Sequence, residues 1–141
     1  MPAGAAHYAK TGEGLPATSL ETAGKADAIL LSAMGLPDVR YPDGTEISPQ
    51  IDLRKAFNLF AGVRPVRVTP GGLTPLKMPE GKAIDFVLIR ESTEGLFHTQ
   101  GAGIVTDEYA QETLQITRHV SEKLFKFAFN LAQSRKDQGR S

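Results

Sequence analysis

The segment AIDFVLIR, residues 83 to 90, is the most apolar strand pattern in the chain. It follows a turn-rich connection, Pro70 to Gly81, and its aliphatic and aromatic residues are typical of a buried strand. The segment ends at Arg90. Because open α/β sheets bind ligands at the carboxyl ends of their strands, this position predicts a ligand contact.

Three further segments are predicted to be strands. Ala26 to Met34 (ADAILLSAM) is a compact apolar run, Val63 to Thr69 (VRPVRVT) alternates apolar and polar residues, and Thr113 to Thr117 alternates with its apolar residues inward. The runs at Ala28 to Leu31 and Val87 to Ile89 lack alternation. Both are therefore expected to be buried on both faces of a sheet.

Helices are predicted between these strands, which makes the fold class α/β. Ser48 followed by Pro49 is typical of a helix start, and a helix is expected from Pro49 to about Phe60. A short helix is expected within Pro16 to Lys25, and a long, broadly apolar helix from about His119 to Arg135. Residues 1–15 are rich in Gly and Ala without periodicity, which favours a loop or a frayed start of the chain.

Composition excludes several classes of function. The chain has 141 residues, with 16 basic and 16 acidic side chains, so no basic excess favours nucleic acid or a membrane surface as partner. It contains no Cys, which excludes disulfides, thiolate metal sites and a Cys nucleophile within it. The longest uninterrupted apolar run is too short to span a bilayer, and a cytoplasmic location is expected.

Arginines lie at ordered positions and not in a solvated charge run. Arg54 lies in a predicted helix, Arg64 and Arg67 in a predicted strand, and Arg90 at a strand end. Guanidinium groups bind carboxylates with two parallel hydrogen bonds, so several of them together suit a compact polyanion. The residue positions alone leave a second interpretation open, in which each arginine is an ordinary solvated surface residue.

Other candidate motifs are weak. Gly12-Glu13-Gly14 follows no strand, and Gly101-Ala102-Gly103 lacks the third glycine of a dinucleotide-binding fingerprint. The three histidines have no metal-ligand spacing, and the acidic residues form no convincing cluster.

Four stretches of the sequence form a set of motifs in a fixed order and register. They are TGEGLPATSLETAGKADAILLSAM (residues 11–34), LRK with NLFA and VRP (residues 53–65), FVLIRESTEG (residues 86–95), and TR with FAFNLA (residues 117–132). Together they resemble the β-decarboxylating dehydrogenases, the family of isopropylmalate, isocitrate, homoisocitrate and tartrate/D-malate dehydrogenases. The resemblance covers about residues 7 to 136.

The resemblance implies a portion of the isopropylmalate-dehydrogenase-like fold, an incomplete sheet with flanking helices. Residues 1–62 would belong to the larger, dinucleotide-side domain and residues 63–141 to the smaller substrate and dimerisation domain. Such enzymes oxidise a 2-hydroxy di- or tricarboxylate with NAD or NADP and then decarboxylate it with the help of Mg²⁺ or Mn²⁺. They form homodimers.

The family motifs also imply site residues. Arg54, Arg64 and Arg90 match the three arginines that bind the substrate carboxylates. Ser48 and Gln50 match positions that select the substrate's side group, and their polarity favours a polar substituent. A plain helix-cap role for Ser48 stays open as the alternative.

Two departures from the family pattern bear on activity. Phe97 occupies the position of the family's general-acid tyrosine, and phenylalanine has no ionisable proton. His98 is adjacent, but neighbours on an extended segment point to opposite sides. The amino-terminal GDGIGPE segment, the catalytic lysine, the metal-binding aspartates and the adenine-binding loop of the family have no counterpart in this sequence.

The sequence is therefore expected to be an internal fragment that supplies the arginine site and is inactive by itself. Three functions remain open at this point: a segment of an NAD(P)-dependent oxidative decarboxylase, a non-catalytic carboxylate-binding or regulatory module, and a structural remnant.

Overall fold

The computed structural model describes residues 1–99 and 101–140. The chain folds into two compact units: unit 1 from Met1 to Leu59 and unit 2 from Phe60 to Ser141. Helices and short antiparallel sheets both occur, so the α/β class is confirmed. The sequence pattern also predicts a loop over residues 91–106, and Gln100 within it lies outside the described residues.

Unit 1 contains three short helices: α1 (Ala5–Thr11), α2 (Ala17–Gly24) and α3 (Pro49–Ala56). Its small core consists of Ala5, Ala23, Ile47 and Leu53, all of which are buried. The amide of Ala5 donates to the carbonyl of Met34 at 2.7 Å, which connects the first helix to the segment that follows α2. The prediction of a loop over residues 1–15 is therefore wrong for the part that forms α1. The sequence of this segment has no amphipathic periodicity, but the hydrogen bond and the burial of Ala5 stabilise it as a helix.

The segment Ala26 to Met34 is not a strand. It forms neither helix nor strand, and the side chain of Leu30 is fully exposed. A strand needs a neighbouring backbone for its hydrogen bonds, and no described residue pairs with this segment in a sheet. The prediction of a strand buried on both faces is wrong here for that reason.

Unit 2 is built on one antiparallel pair, β1 (Ala61–Val68) with β2 (Ile84–Glu91). The two strands predicted in these regions are confirmed within two residues. On β2, exposed and partly buried residues alternate, so only one face is covered and the expected burial of Val87 to Ile89 on both faces is wrong. Phe86 and Leu88 lie on the other face and are about half exposed, at 49% and 51%.

The covered face of β2 packs against α4 (Arg118–Asp137). Val87 and Ile89 share a recess with Ala128 and Leu131 of the helix. Before β1, the Phe60 ring meets Phe127 edge to face, with ring centroids 6.2 Å apart. The long helix is thus confirmed, and its main apolar stripe faces the sheet, while Phe125 and Phe129 of the second stripe are exposed.

A small hairpin of β3 (Ile104–Val105) and β4 (Ala110–Gln111) precedes α4. The strand predicted at Thr113 to Thr117 is wrong, since only Gln115 forms an isolated bridge there, to Gly95. Leu114 and Ile116 are exposed, because no described element covers that segment. Among residues 1–99 and 101–140, no helix has the length and apolarity that crossing a bilayer requires.

The end of α4 is fastened to β2 by an ion cluster. Gly139 adopts φ +70° after the helix, and the amides of Gly139 and Arg140 donate back to Lys136 and Arg135 as in a Schellman cap. This turn directs Arg140 to Asp85, whose carboxylate also pairs with Arg135 at 2.8 Å. The hydrogen bonds from Arg140 and Arg135 hold the pKa of Asp85 well below its usual range.

We expect this cluster to make the stability of unit 2 dependent on acid pH. Because the pKa of Asp85 is lower in the folded chain than in the unfolded chain, its contribution is present above about pH 4 and is lost as the pH falls further. Asp85→Asn should flatten the fall in the free energy of unfolding below that pH, measured by urea titration at several pH values. The control is Asp107→Asn, which removes the same charge from the exposed hairpin turn and should leave the dependence of the unfolding free energy on acid pH unchanged. If this dependence is the same in the wild type and in Asp85→Asn, the prediction is wrong.

Candidate functional site

Arg64 and Arg90 lie on the same face of the β1–β2 pair. In the register, Arg64 is opposite Leu88 and Gly62 is opposite Arg90. Residues directly opposite each other, and residues two apart on a strand, point to one face, so the two arginines are diagonal neighbours. Such neighbours have Cα atoms about 7–8 Å apart. The two side chains therefore leave the sheet from adjacent positions on one face.

Arg67 lies on the opposite face of the same strand, because it is an odd number of residues from Arg64. Its opposite residue is Asp85, on the face that packs against α4. Of the two arginines of β1, only Arg64 therefore shares a face with Arg90.

Arg54 and the two other predicted substrate-binding residues are in unit 1, on or next to α3. Ser48 is at the N-cap position, yet its hydroxyl donates to the carbonyl of Glu46 at 3.3 Å and does not cap the helix. The Oε1 atom of Gln50 is buried and has no hydrogen-bond partner among the described residues. Arg54 is half-buried in the last turn of α3, and the helix ends at Ala56, four residues before the predicted end.

Two titratable groups near α3, Asp52 and Tyr41, have raised pKa values. Burial raises the pKa of Asp52, and the charge of Lys55 opposes that rise in part. Burial also raises the pKa of the Tyr41 hydroxyl, and the negative charge of Asp52 adds to the effect. The Tyr41 ring contacts Tyr8 edge to face, with centroids 5.1 Å apart. Tyr41 therefore keeps its proton at neutral pH and can donate a hydrogen bond.

In unit 2, Arg90 lies above the ring of Phe97, with its Cζ atom 5.4 Å from the ring centroid. This cation–π contact places the guanidinium next to the position that the family motif gives to a tyrosine. Phe97 itself can supply only a ring face. A cavity opens beside Arg90 and Phe97. His98 is exposed and is not among the residues that line this cavity.

A cavity of about 480 Å³ opens beside Arg90 and Phe97. Its walls come from the loop after β2, from the segment before α4 and from the first turns of α4. Besides Arg90 and Phe97, its lining residues are Glu91, Glu94, Gly95, Leu96, Ile116, Ser121, Leu124 and Phe125. The sequence did not predict this part of the cavity wall, because the helical spacing identifies Leu124 and Phe125 only as apolar positions of a helix.

Two carboxylates hold the loop that carries Phe97. Glu91 accepts hydrogen bonds from the amides of Thr93 and Glu94 and from the Thr93 hydroxyl. Burial raises the pKa of Glu91, but these hydrogen bonds lower it by more, so it lies below its ordinary value. Glu94 accepts from the amide of Thr117 at 2.8 Å and from its hydroxyl at 2.6 Å. The loop is therefore tied to the start of α4, where the same Thr117 hydroxyl accepts a hydrogen bond from the amide of Val120.

No group of three or more His, Cys, Asp or Glu side chains is placed to hold a metal ion in the described parts of the chain. The donor set of these residues therefore does not fit the divalent cation that the sequence resemblance implies. The described backbone likewise offers no strand–glycine–helix turn suited to a dinucleotide pyrophosphate.

Comparison with known proteins agrees with the sequence motifs. The family model described as isocitrate/isopropylmalate dehydrogenase matches residues 1–140. A 3-isopropylmalate dehydrogenase of Corynebacterium glutamicum is 39% identical over 136 residues, which are 94% of this chain and 39% of that protein. One from Streptococcus thermophilus is 36% identical over 139 residues, with 95% of this chain and 39% of that protein covered.

Solved structures give the same result for the fold. A crystal structure of a Thermus thermophilus protein matches with a TM-score of 0.72 at 36% identity, over 93% of this chain and 25% of that one. The isocitrate dehydrogenase of Methylococcus capsulatus matches with a TM-score of 0.66 at 28% identity, over 96% of this chain and 38% of that one. The expected portion of an isopropylmalate-dehydrogenase-like fold is confirmed, and the chain spans about two fifths of the length of the curated relatives it matches.

The bond between Glu94 and Thr117 should stabilise unit 2 measurably. Thr117→Ala removes both the helix cap and the hydroxyl bond to Glu94, and we expect the free energy of unfolding to fall by about 1–2 kcal/mol. Thr117→Ser keeps a hydroxyl and is the matched control. The measurement is chemical denaturation followed by circular dichroism; the assignment fails if Ala and Ser at this position give equal stability.

Proposed function

The chain belongs to the isocitrate/isopropylmalate dehydrogenase family, and we propose that it binds the carboxylates of a 2-hydroxy di- or tricarboxylate through Arg54, Arg64 and Arg90. The observation that carries the proposal is the common face of Arg64 and Arg90 on β1 and β2. Neither of them forms an ion pair with a described residue, whereas Arg135 and Arg140 both pair with Asp85. Two neighbouring cations without a carboxylate partner suit an anionic ligand.

Ser48 and Gln50 are proposed to contact the side group of the substrate. The buried Oε1 atom of Gln50 supports this role, because a buried acceptor without a donor is costly and a hydroxyl of the ligand would satisfy it. A polar side group, such as the second hydroxyl of tartrate, therefore suits these residues better than an isopropyl group.

The proposed setting is a homodimeric, cytoplasmic oxidative decarboxylase that uses NAD or NADP with Mg²⁺ or Mn²⁺. In it, residues 1–62 would belong to the larger domain and residues 63–141 to the smaller one. The compact units 1–59 and 60–141 support a boundary in this region. Within this chain, the proposed role of the arginines is to bind and orient the carboxylates of the substrate.

A second candidate is a carboxylate-binding or regulatory module without catalysis. Phe97 favours it, because a ring without a hydroxyl cannot protonate the enolate that decarboxylation leaves. The two candidates share the arginine site and differ only in turnover.

The arginine site can be tested by calorimetric titration of the chain with malate and isocitrate. Arg64→Gln and Arg90→Gln should each weaken binding about 10-fold or more, since each removes charge-assisted hydrogen bonds. Arg54→Gln should do the same. Arg67→Gln is the matched control, with the same charge change on the opposite face of β1, and should have little effect; an Arg67 variant as weak as the Arg64 variant would reject the site.

Turnover separates the two candidates. We expect no detectable NAD- or NADP-linked oxidation of malate, tartrate, isopropylmalate or isocitrate by the 141-residue chain with Mg²⁺ or Mn²⁺ present, because Phe97 cannot act as the acid. The measurement is nicotinamide absorbance under saturating substrate. Turnover that disappears in Arg90→Ala would contradict the expectation and establish the catalytic candidate.

A further inference from the structure

An irregular connection, residues 69–83, joins β1 to β2 in unit 2. Its hydrogen bonds to described residues are all local and run from the amides of Gly72, Leu76 and Lys82 to oxygen atoms of Thr69, Thr74 and Pro79. The side chain of Leu73 is fully exposed, and that of Leu76 is exposed at 60%. Connections longer than about 12 residues without regular structure are uncommon and are usually functional. This loop is therefore an accessible segment that calls for a function beyond the joining of two strands.

Three hydroxyl side chains of the chain are followed directly by proline: Ser48, Thr69 and Thr74. The structure distinguishes them by their surroundings. Ser48 is at the N-cap position of α3, and Pro49 after it is fully buried. Thr69 is at the start of a closed turn, in which its carbonyl accepts from the amide of Gly72 at 2.9 Å. The backbone at Ser48 and at Thr69 is therefore held by helix or turn hydrogen bonds.

Thr74 has no backbone hydrogen bond to a described residue. It lies in neither helix nor strand, and its hydroxyl oxygen accepts one hydrogen bond, from the amide of Leu76 at 3.2 Å. The hydroxyl proton is not used by this bond and stays available. Pro75 and Lys77 are exposed, and Lys77 forms no ion pair with a described residue. Of the three hydroxyls, Thr74 is thus the one on an accessible segment that can change its backbone conformation without breaking a turn or a helix.

The residues after Thr74 suit recognition by an enzyme that modifies hydroxyl groups. A proline restricts the residue before it to extended backbone, the conformation in which a peptide segment binds along a cleft. Because proline has no N–H, it also enters an apolar subsite without leaving a donor unpaired. Lys77, three residues after Thr74, adds a cation for a carboxylate of the enzyme. Thr69 lacks this last feature, since the residue at the same spacing after it is Gly72.

We propose that Thr74 is a phosphorylation site for a protein kinase of the class that recognises proline directly after the acceptor and a basic residue further along. In the transfer, the Oγ1 atom of Thr74 forms a bond to the γ-phosphorus of a nucleoside triphosphate. The bond from that phosphorus to the β–γ bridging oxygen breaks, the nucleoside diphosphate leaves, and the hydroxyl proton passes to a carboxylate of the kinase. The modification adds about two negative charges to a chain whose acidic and basic residues are equal in number.

The test uses the whole chain, ATP with Mg²⁺, and a cyclin-dependent protein kinase as the proline-directed enzyme. We expect one phosphoryl group per chain, measured by intact-protein mass spectrometry and located at Thr74 by fragmentation. Thr74→Val should abolish the transfer. Thr69→Val is the matched control, because it removes another hydroxyl before a proline from the same loop, and it should leave the transfer unchanged. Absence of transfer, or transfer mainly to Ser48 or Thr69, would overturn the inference.

The role of Lys77 is tested by the rate of the same reaction. Lys77→Gln should lower kcat/KM of the kinase for the chain about 10-fold. Lys82→Gln makes the same charge change near the end of the same loop and should have little effect. Circular dichroism should show an unchanged fold in all these variants, because the hydrogen bonds of the loop to described residues are local. Equal effects of the two lysine substitutions would reject the recognition of Lys77 and with it the proposal.

The inference is independent of the arginine site, because none of the arginines proposed to bind carboxylates takes part in it. A chain that fails to bind malate or isocitrate and is still phosphorylated at Thr74 would reject the proposed function and support the inference. The reverse result, binding of a dicarboxylate without phosphorylation at Thr74, would reject the inference alone.

Discussion

Antiparallel pairing of β1 with β2 is the constraint on which the organisation of unit 2 depends. The register, from Ala61 opposite Glu91 to Val68 opposite Ile84, decides which side chains share a face, because side chains alternate along each strand. In this register Asp85, Val87 and Ile89 face α4, whereas Arg64 and Arg90 lie on the other face. A shift of one residue on one strand would separate the two arginines and turn the apolar contacts with α4 outward.

The loop after β2 depends on this register as well. Glu91 is the last residue of β2 and points to the covered side, where it accepts the amides of the following turn. Glu94 then reaches across to Thr117 at the start of α4. Each carboxylate thus satisfies backbone donors that would otherwise be unpaired, and together they determine where Phe97 lies beneath Arg90. The position of the candidate site is therefore a consequence of loop hydrogen bonding as much as of the strands.

Many large apolar side chains of this chain are exposed to solvent. Leu30 in unit 1 and Phe86, Leu88 and Phe129 in unit 2 are exposed to extents that range from about half to complete. A sheet of only two strands, with one covered face, has too little apolar contact to be strongly stable by itself. The ion cluster at Asp85 compensates in part, because it fastens the end of α4 to β2 with charge-assisted hydrogen bonds.

The sequence by itself determined the family, the α/β class, the two paired strands and the long helix, since these follow from local patterns: apolar runs, alternation, helical spacing and motifs in register. It also identified the arginines as a candidate site, through residue type and motif. Only the tertiary structure decided that Ala26 to Met34 is not a strand, because strand formation depends on a neighbouring backbone and not on the apolar run itself. Likewise, the shared face of Arg64 and Arg90, the hydrogen bonds of Glu94 to Thr117, and the cavity wall at Ile116, Leu124 and Phe125 depend on strand register and on contacts between residues far apart in the chain, which no local pattern encodes.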